Sequence, residues 1–474
     1  MGNLEKFNKL KDSDNPGESA APTKSLECTE SESSEEPKKF YIQTFGCQMN
    51  VHDSEILGGF LEDLGYREAA GVEDTDILIM NTCAIRQKAE AKVFGMIGKL
   101  KKLKRERPHL IIGVCGCMAQ QEGTAKKIKA RYPHVDLVFG THNVHRFPHL
   151  LKEAEESRET VLDIWPEGKE VVEGLPISRK GGIKAWVTIT YGCNNFCAYC
   201  VVPYVRGREQ SREMSNIVTE VEGLASKGYK EVTLLGQNVN SYGKDLDKSI
   251  TFALLLEKLD SIMGLERIRY MTSHPRDFSR ELTEVIYRSE KVCEHFHLPI
   301  QSGSNKILGK MNRGYTREHY LEVVSYIREL IPHSSITTDF IVGFPGETRE
   351  DFSDTLEILK RVRFDTSYSF VFSPRKGTLA ADMPGQIPAA EKKERLLKLN
   401  ETQNRISREI NEALRGTVMD VLVEGFSREN PSVLTGRTRT NKLVNFKGEK
   451  EMIGKIIPVK INDVKTWSLD GEAL

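Results

Sequence analysis

Between Lys184 and Phe372 one theme recurs six times, a short apolar run followed by a helical stretch. The runs are Lys184 to Thr190, Glu231 to Leu235, Arg267 to Met271, His295 to Pro299, Ser335 to Val342 and Thr366 to Phe372. Short strands that each lead into a helix pair in parallel through right-handed crossovers. The series predicts an α/β fold, an incomplete (β/α)6 TIM-type barrel over 183–415, with its site in loops at the carboxyl ends of the strands.

The remainder of the 474 residues provides for further domains on either side. Residues 1–37 carry few large apolar side chains and many Ser, Glu, Pro and Gly, so burial cannot offset the entropy of ordering, and a disordered acidic tail is expected. From 38 to 155, apolar runs (Phe40 to Phe45, Asp76 to Asn81, Leu110 to Val114, Val135 to Phe139) alternate with helical stretches such as Ser54 to Leu64 and Gln87 to Arg105. That pattern predicts a small open α/β domain. Residues 156–182, with Pro166, Pro176 and a Gly pair, read as a linker. After Gly416 the character changes to short alternating runs, Val418 to Val423, Val433 to Arg437, Lys442 to Phe446 and Lys455 to Ile461, which predict a small all-β module over 416–474.

No apolar run approaches the roughly 18 residues that cross a bilayer, and Met1 to Phe7 carries no secretory core, so a cytoplasmic protein without a membrane partner is expected. In a reducing compartment cysteines are metal ligands or catalysts more often than disulfides, and the count of nine is odd. A formal net charge of +0 names no class of partner.

The loop YGCNNFCAYC places Cys193, Cys197 and Cys200 directly after the first barrel strand. Three soft thiolates on a short loop suit a cubane iron–sulfur cluster with one iron left open for a substrate. A zinc site would want a fourth ligand, and this loop has none. A second set is spread out: Cys47 follows the first upstream strand, Cys83 the second and Cys117 the third. Carboxyl ends of neighbouring parallel strands converge on one crevice, so these three thiols can share a second cluster. Cys115 belongs to its strand and is expected to point into the sheet, while Cys28 and Cys293 have no such companions.

TFGCQMN, NTCAIR, YGCNNFCAYC, LLGQNVNSYG, HLPIQSGSNKILGKMNRGYT and DFIVGFPGET stand here in the order of the methylthiotransferases of the radical S-adenosylmethionine superfamily, which the chain resembles. The terminal module resembles a TRAM domain, an OB-like barrel. The pair TFGCQMN and NTCAIRQKAE is similar to the branch that acts on isopentenyladenosine in tRNA. The ribosomal-protein branch has proline and lysine, and the threonylcarbamoyl-adenosine branch lysine and valine, where this chain has Gln48 and Met49.

The resemblance implies two 4Fe–4S clusters and two molecules of S-adenosylmethionine per turnover. The cluster on Cys193, Cys197 and Cys200 would generate a deoxyadenosyl radical, and the one on Cys47, Cys83 and Cys117 would carry the sulfur that is methylated and inserted. The acceptor would be carbon 2 of isopentenyladenosine in the anticodon stem-loop of tRNA, where a carbon–hydrogen bond that is not acidic calls for radical rather than acid–base chemistry. An external electron donor and a sulfur or iron–sulfur supply are required, and a monomer is expected. Candidate cosubstrate residues at the strand ends are Tyr199, Gly236, Gln237, Ser273, Gln301, Ser302 and Gly343. Candidate RNA contacts in the terminal module are Arg428, Arg437, Arg439, Lys442 and Phe446, with Phe426 and Lys447 beside them; the run Lys99 to Arg107 is another. The alternatives are a methylthiotransferase with another acceptor, a non-catalytic iron–sulfur carrier and a zinc-dependent RNA-binding protein.

Overall fold

The apolar runs upstream of the barrel become one parallel sheet. Its strands are β1 (Lys39–Thr44), β2 (Arg67–Glu68), β3 (Ile77–Thr82), β4 (Ile111–Gly116), β5 (Leu137–Phe139) and β6 (Val161–Asp163), in the order β2-β1-β3-β4-β5-β6. β3 and β4 are buried along their whole length, as central strands covered on both faces must be. Helices α1 (Gln48–Asp63) and α5 (Phe147–Glu156) cover one face through Leu57, Leu61 and Leu150. α2 (Gln87–Glu106) and α4 (Thr124–Arg131) cover the other through Val93, Ile97 and Ile128, while α3 (Cys117–Gln120) caps the end of β4. The structure, a computed structural model, describes residues 36–84, 87–168, 171–179 and 181–474. The expected tail and Cys28 lie almost wholly outside them, whereas Lys38–Leu474 forms one compact unit.

One boundary is corrected. The stretch expected to be a linker from 156 supplies β6, which pairs in register with β5 from Leu137↔Val161 to Phe139↔Asp163. Only three residues long, this strand shows no periodicity for a sequence pattern to detect.

The barrel follows as β7 (Lys184–Thr188), β8 (Thr190–Tyr191), α6 (Val202–Val205), β9 (Gln210–Ser211), α7 (Met214–Ser226), β10 (Glu231–Leu235), α8 (Phe252–Asp260), β11 (Arg267–Tyr270) and α9 (Arg280–Arg288). β12 (His295–His297), α10 (Asn305–Lys310), α11 (Arg317–Leu330), β13 (Ser335–Val342), α12 (Arg349–Val362), β14 (Thr366–Val371) and α13 (Ala389–Glu412) complete it. Its wall is two parallel half-sheets, β11-β10-β7 and β12-β13-β14, joined by a bridge from Ile268 to Val292 and open at the β14 edge. Ser or Thr side chains cap α8 through α12, from Thr251, Ser279, Ser304, Thr316 and Thr348, each cap contributing about 1 kcal/mol.

Strand alternation divides the second half-sheet cleanly. Phe296, Ile336 and Phe340 pack outward against the helices. His297, Thr337, Asp339, Tyr368 and Phe370 face the lumen, where His297 Nδ1 pairs with Thr337 Oγ1 at 3.0 Å.

β15 (Val418–Phe426), β16 (Leu434–Thr438), β17 (Leu443–Lys447), β18 (Ile456–Val464) and β19 (Leu469–Ala473) close a five-stranded barrel around Val421, Val444 and Ile461. It is seated at the amino ends of the large barrel's strands. The buried Arg267 donates to the carbonyls of Arg437 (2.6 Å) and Asp420 (3.0 Å), and Arg269 to those of Thr438 (2.7 Å) and Arg439 (2.9 Å). Lys184 pairs with Glu424 (2.6 Å), and Lys442 with Asp365 (2.6 Å).

Candidate active site

The described cysteines form no disulfides, and six of them stand in two groups. Cys47 is the N-cap of α1 after β1, Cys83 follows β3, and Cys117 opens α3 after β4. Because β1, β3 and β4 are adjacent and parallel, the three thiols share one sheet edge, and Cys117 feels the charges of Cys83 and Cys47. The glycines before two of them are required. A Cβ on Gly46 would stand 2.8 Å from Cys83 Cβ, and one on Gly116, at φ 90°, would meet the Asn81 side chain and the Thr82 carbonyl.

A buried amide network fixes this edge. Asn50 Nδ2 donates to Asn81 Oδ1 (2.9 Å) and to the Thr82 carbonyl (3.1 Å), and Asn81 Nδ2 returns a bond to the Asn50 carbonyl (2.8 Å). The Cys47 thiol donates to Asn50 Oδ1 at 3.5 Å. Both asparagines lie in the motifs TFGCQMN and NTCAIR, whose non-cysteine positions were the signal for them.

The second triad sits on the loop after β8. Burial pushes the Cys193 thiol up to about 11, opposed by the Asn195 amide, and the Cys200 thiol up to about 12, with the Cys197 charge adding to the rise. Arg313 NH1 donates to Cys197 Sγ at 3.3 Å while NH2 holds the Pro299 carbonyl at 2.8 Å. In the first triad burial pushes Cys117 up to about 11, opposed by Arg206, whose Nε donates to Cys117 Sγ at 3.2 Å. Sequence reading missed both arginines, since no spacing marks an arginine that is buried.

The two triads abut. Six residues past Cys200 the chain reaches Arg206, and on the way Val201 and Val205 pack with Ala84 and Cys117 in one apolar cluster.

Both sites fit iron–sulfur clusters by their donors. Each offers three thiols, and a buried cation stands on a sulfur to favour the ionised form that ligation needs. Among the described residues no three of His, Cys, Asp or Glu are gathered tightly enough for a single ion.

Family models match over residues 39–140 (uncharacterized protein family UPF0004), 187–359 (radical SAM superfamily) and 412–474 (TRAM domain). The tRNA-2-methylthio-N(6)-dimethylallyladenosine synthase of Thermoanaerobacter pseudethanolicus is 56% identical, over 91% of this chain and 92% of its own. The protein of the same name from Carboxydothermus hydrogenoformans is 53% identical, over 92% of this chain and 99% of its own. The chain belongs to this synthase family. Its fold is like that of the radical S-adenosylmethionine methyltransferase TsrM from Kitasatospora setae, solved with cobalamin and a 4Fe–4S cluster (TM-score 0.52, 14% identity, 81% of each chain).

Within the family fold the other sequence-derived candidates divide. Ser273 Oγ and Gln301 Oε1 are buried without a hydrogen-bond partner at the ends of β11 and β12, and Gln301 holds φ 72°, an unfavourable conformation that aims its side chain. Beside them His274 is neutral, because burial and the Arg313 charge push its imidazole far down. Tyr199 is half-buried among Ile307, Met311 and Phe372. Gly236 lets β8 approach, since a Cβ there would stand 2.5 Å from Thr190 Cγ2; Gln237 lies half-buried in the same turn. Two candidates have protein partners already: Ser302 Oγ contacts Thr355 Oγ1 and accepts from the Ser304 amide, and the Gly343 amide donates to the buried Glu347 at 2.6 Å under the Lys392 stem.

The RNA candidates change more. Phe446 is 2% exposed inside the small barrel and offers no face to a base. Arg439 is held bidentately by Glu294, Arg437 by the Asn441 carbonyl, and Lys442 by Asp365 and Asn411, so these three side chains already have partners within the protein. Arg428, Phe426 and Lys447 remain exposed, as do Lys99, Lys101 and Lys102 on α2. Sequence reading passed over Tyr368, which is 52% exposed on the lumen face of the open edge with its ring against His297 at 5.9 Å. No helix among the described residues is long and apolar enough to cross a membrane.

Proposed function

We propose that this protein transfers a methylthio group to carbon 2 of the dimethylallyl (isopentenyl) adenosine beside the anticodon of tRNA, holding one 4Fe–4S cluster on Cys193, Cys197 and Cys200 and another on Cys47, Cys83 and Cys117. The reading is carried by the abutment of the two triads across Val201 and Val205, which brings a radical source and a sulfur source to one crevice. Family membership supplies the acceptor. When bound, the first cluster supplies the electron that cleaves S-adenosylmethionine to a deoxyadenosyl radical, and the second supplies the sulfur to be methylated and inserted.

The chain's own residues bind and orient. Ser273 Oγ and Gln301 Oε1, left unpartnered at the strand ends, take polar groups of the cosubstrate. Arg313 fixes Cys197 against the Pro299 carbonyl. The acceptor base enters the lumen through the open β14 edge, where Tyr368 offers a stacking face and Asp339, beside it in register, a carboxylate for an exocyclic N–H. The TRAM barrel lies at the opposite end. A five-residue strand spans about 16 Å, so this module grips the RNA away from the reacting base, through Arg428, Phe426 and Lys447. An external electron donor and a sulfur or iron–sulfur supply complete the cycle.

The test is anaerobic reconstitution followed by reaction with S-adenosylmethionine, reductant and tRNA with or without the isopentenyl group. Methylthio product restricted to isopentenylated tRNA is expected; product from unmodified tRNA or from ribosomal protein would overturn the assignment.

A further inference from the structure

Arg206 is where the two triads meet. It ends α6, the short helix that begins directly after the loop of Cys193, Cys197 and Cys200, yet its guanidinium lies in the other site. There Nε donates to Cys117 Sγ at 3.2 Å and NH2 to Asp53 Oδ2 at 2.7 Å, with Asn50 Oδ1 at 3.5 Å. Its side chain is 5% exposed and that of Asp53 is 11% exposed. These contacts come from two elements, Asn50 and Asp53 on α1 and Cys117 at the start of α3, so moving the side chain away breaks a charge-assisted bond.

A permanent cation this close to a ligating sulfur, and itself buried, acts on whatever that sulfur holds. Reduction adds a negative charge to a cluster, and a nearby positive charge and a hydrogen bond to a cysteine sulfur both favour the reduced state. Asp53 acts in the opposite sense, and its placement at 2.7 Å both holds Arg206 and tempers it.

We propose that Arg206 is a positioning residue of the cluster on Cys47, Cys83 and Cys117: from the loop of the other triad it orients Cys117 and sets that cluster's reduction potential, with Asp53 as its counterweight. The inference rests on the assignment of a cluster to those three cysteines. It assigns to one side chain the tie by which the radical-generating loop conditions the sulfur-donating site.

The experiment uses the full chain with Cys193, Cys197 and Cys200 all changed to Ala, so that only the second cluster is present after anaerobic reconstitution, and reads its midpoint potential by electron paramagnetic resonance titration. Arg206→Gln should lower the midpoint, since it removes a cation, and Asp53→Asn should raise it, since it removes an anion. Opposite signs separate an electrostatic role from loosened packing, which would move both variants alike. Unchanged midpoints, or shifts of the same sign, overturn the proposal. If Arg206→Gln loses its cluster, the Asp53→Asn sign decides: a rise supports the proposal, and no rise overturns it. If the parent holds no iron at all, the cluster assignment itself fails and this inference falls with it.

Discussion

The two triads reach the same donor set by opposite routes. Cys193, Cys197 and Cys200 lie within eight residues on one loop, and their geometry is local. Cys47, Cys83 and Cys117 come from three loops, and only the parallel order of β1, β3 and β4 brings them together. A local triad can be read from spacing and survives any rearrangement of the sheet around it. A dispersed triad depends on register, on glycines at Gly46 and Gly116 that allow close approach, and on the Asn50–Asn81 amide bonds. Each also takes one arginine from elsewhere, Arg313 for the first and Arg206 for the second.

The difference can be broken at several points. The largest effect is expected at the thiols: Cys117→Ala should reduce bound iron from about eight to about four per chain and eliminate product, as should Cys197→Ala, each sparing the other cluster. Iron and sulfide analysis checks this, and complete loss of iron from either variant would show that the sites are not separable. Arg267→Ala comes next. It strands the buried carbonyls of Arg437 and Asp420 and should cost about 2–4 kcal/mol of stability, read by thermal unfolding, while both triads keep their iron because one lies past the opposite ends of the barrel strands and the other on the upstream sheet. Loss of iron there would contradict that separation. The smallest effect is expected at the lumen: Tyr368→Ala should raise KM for isopentenylated stem-loop RNA about tenfold, with Tyr368→Phe near the parent value and deoxyadenosine release without RNA unchanged. An unchanged KM would remove Tyr368 from the acceptor site.

The same contrast governs what the sequence made legible. Six barrel strands, the first triad and the three strand-end loops of the second were readable because apolar periodicity and cysteine spacing are strong local signals. β6 was not, because three residues carry no period, nor was β19, whose LDGEA has little strand propensity and is held by β17 and β18 on either side. Basic residues near aromatics in the terminal module suggested RNA contact, but sequence alone does not show that Arg439 meets Glu294 across the domain junction or that Phe446 faces inward. The two buried arginines were invisible for the converse reason. Arg206 and Arg313 look like surface cations until the fold buries them on sulfur.

The central claim is a division of labour between the triads, and it is tested most directly by deoxyadenosine release from S-adenosylmethionine in two variants assayed side by side. Cys193→Ala should release none. Cys47→Ala should release deoxyadenosine while forming no methylthio product. Equal loss of release in both would contradict the account.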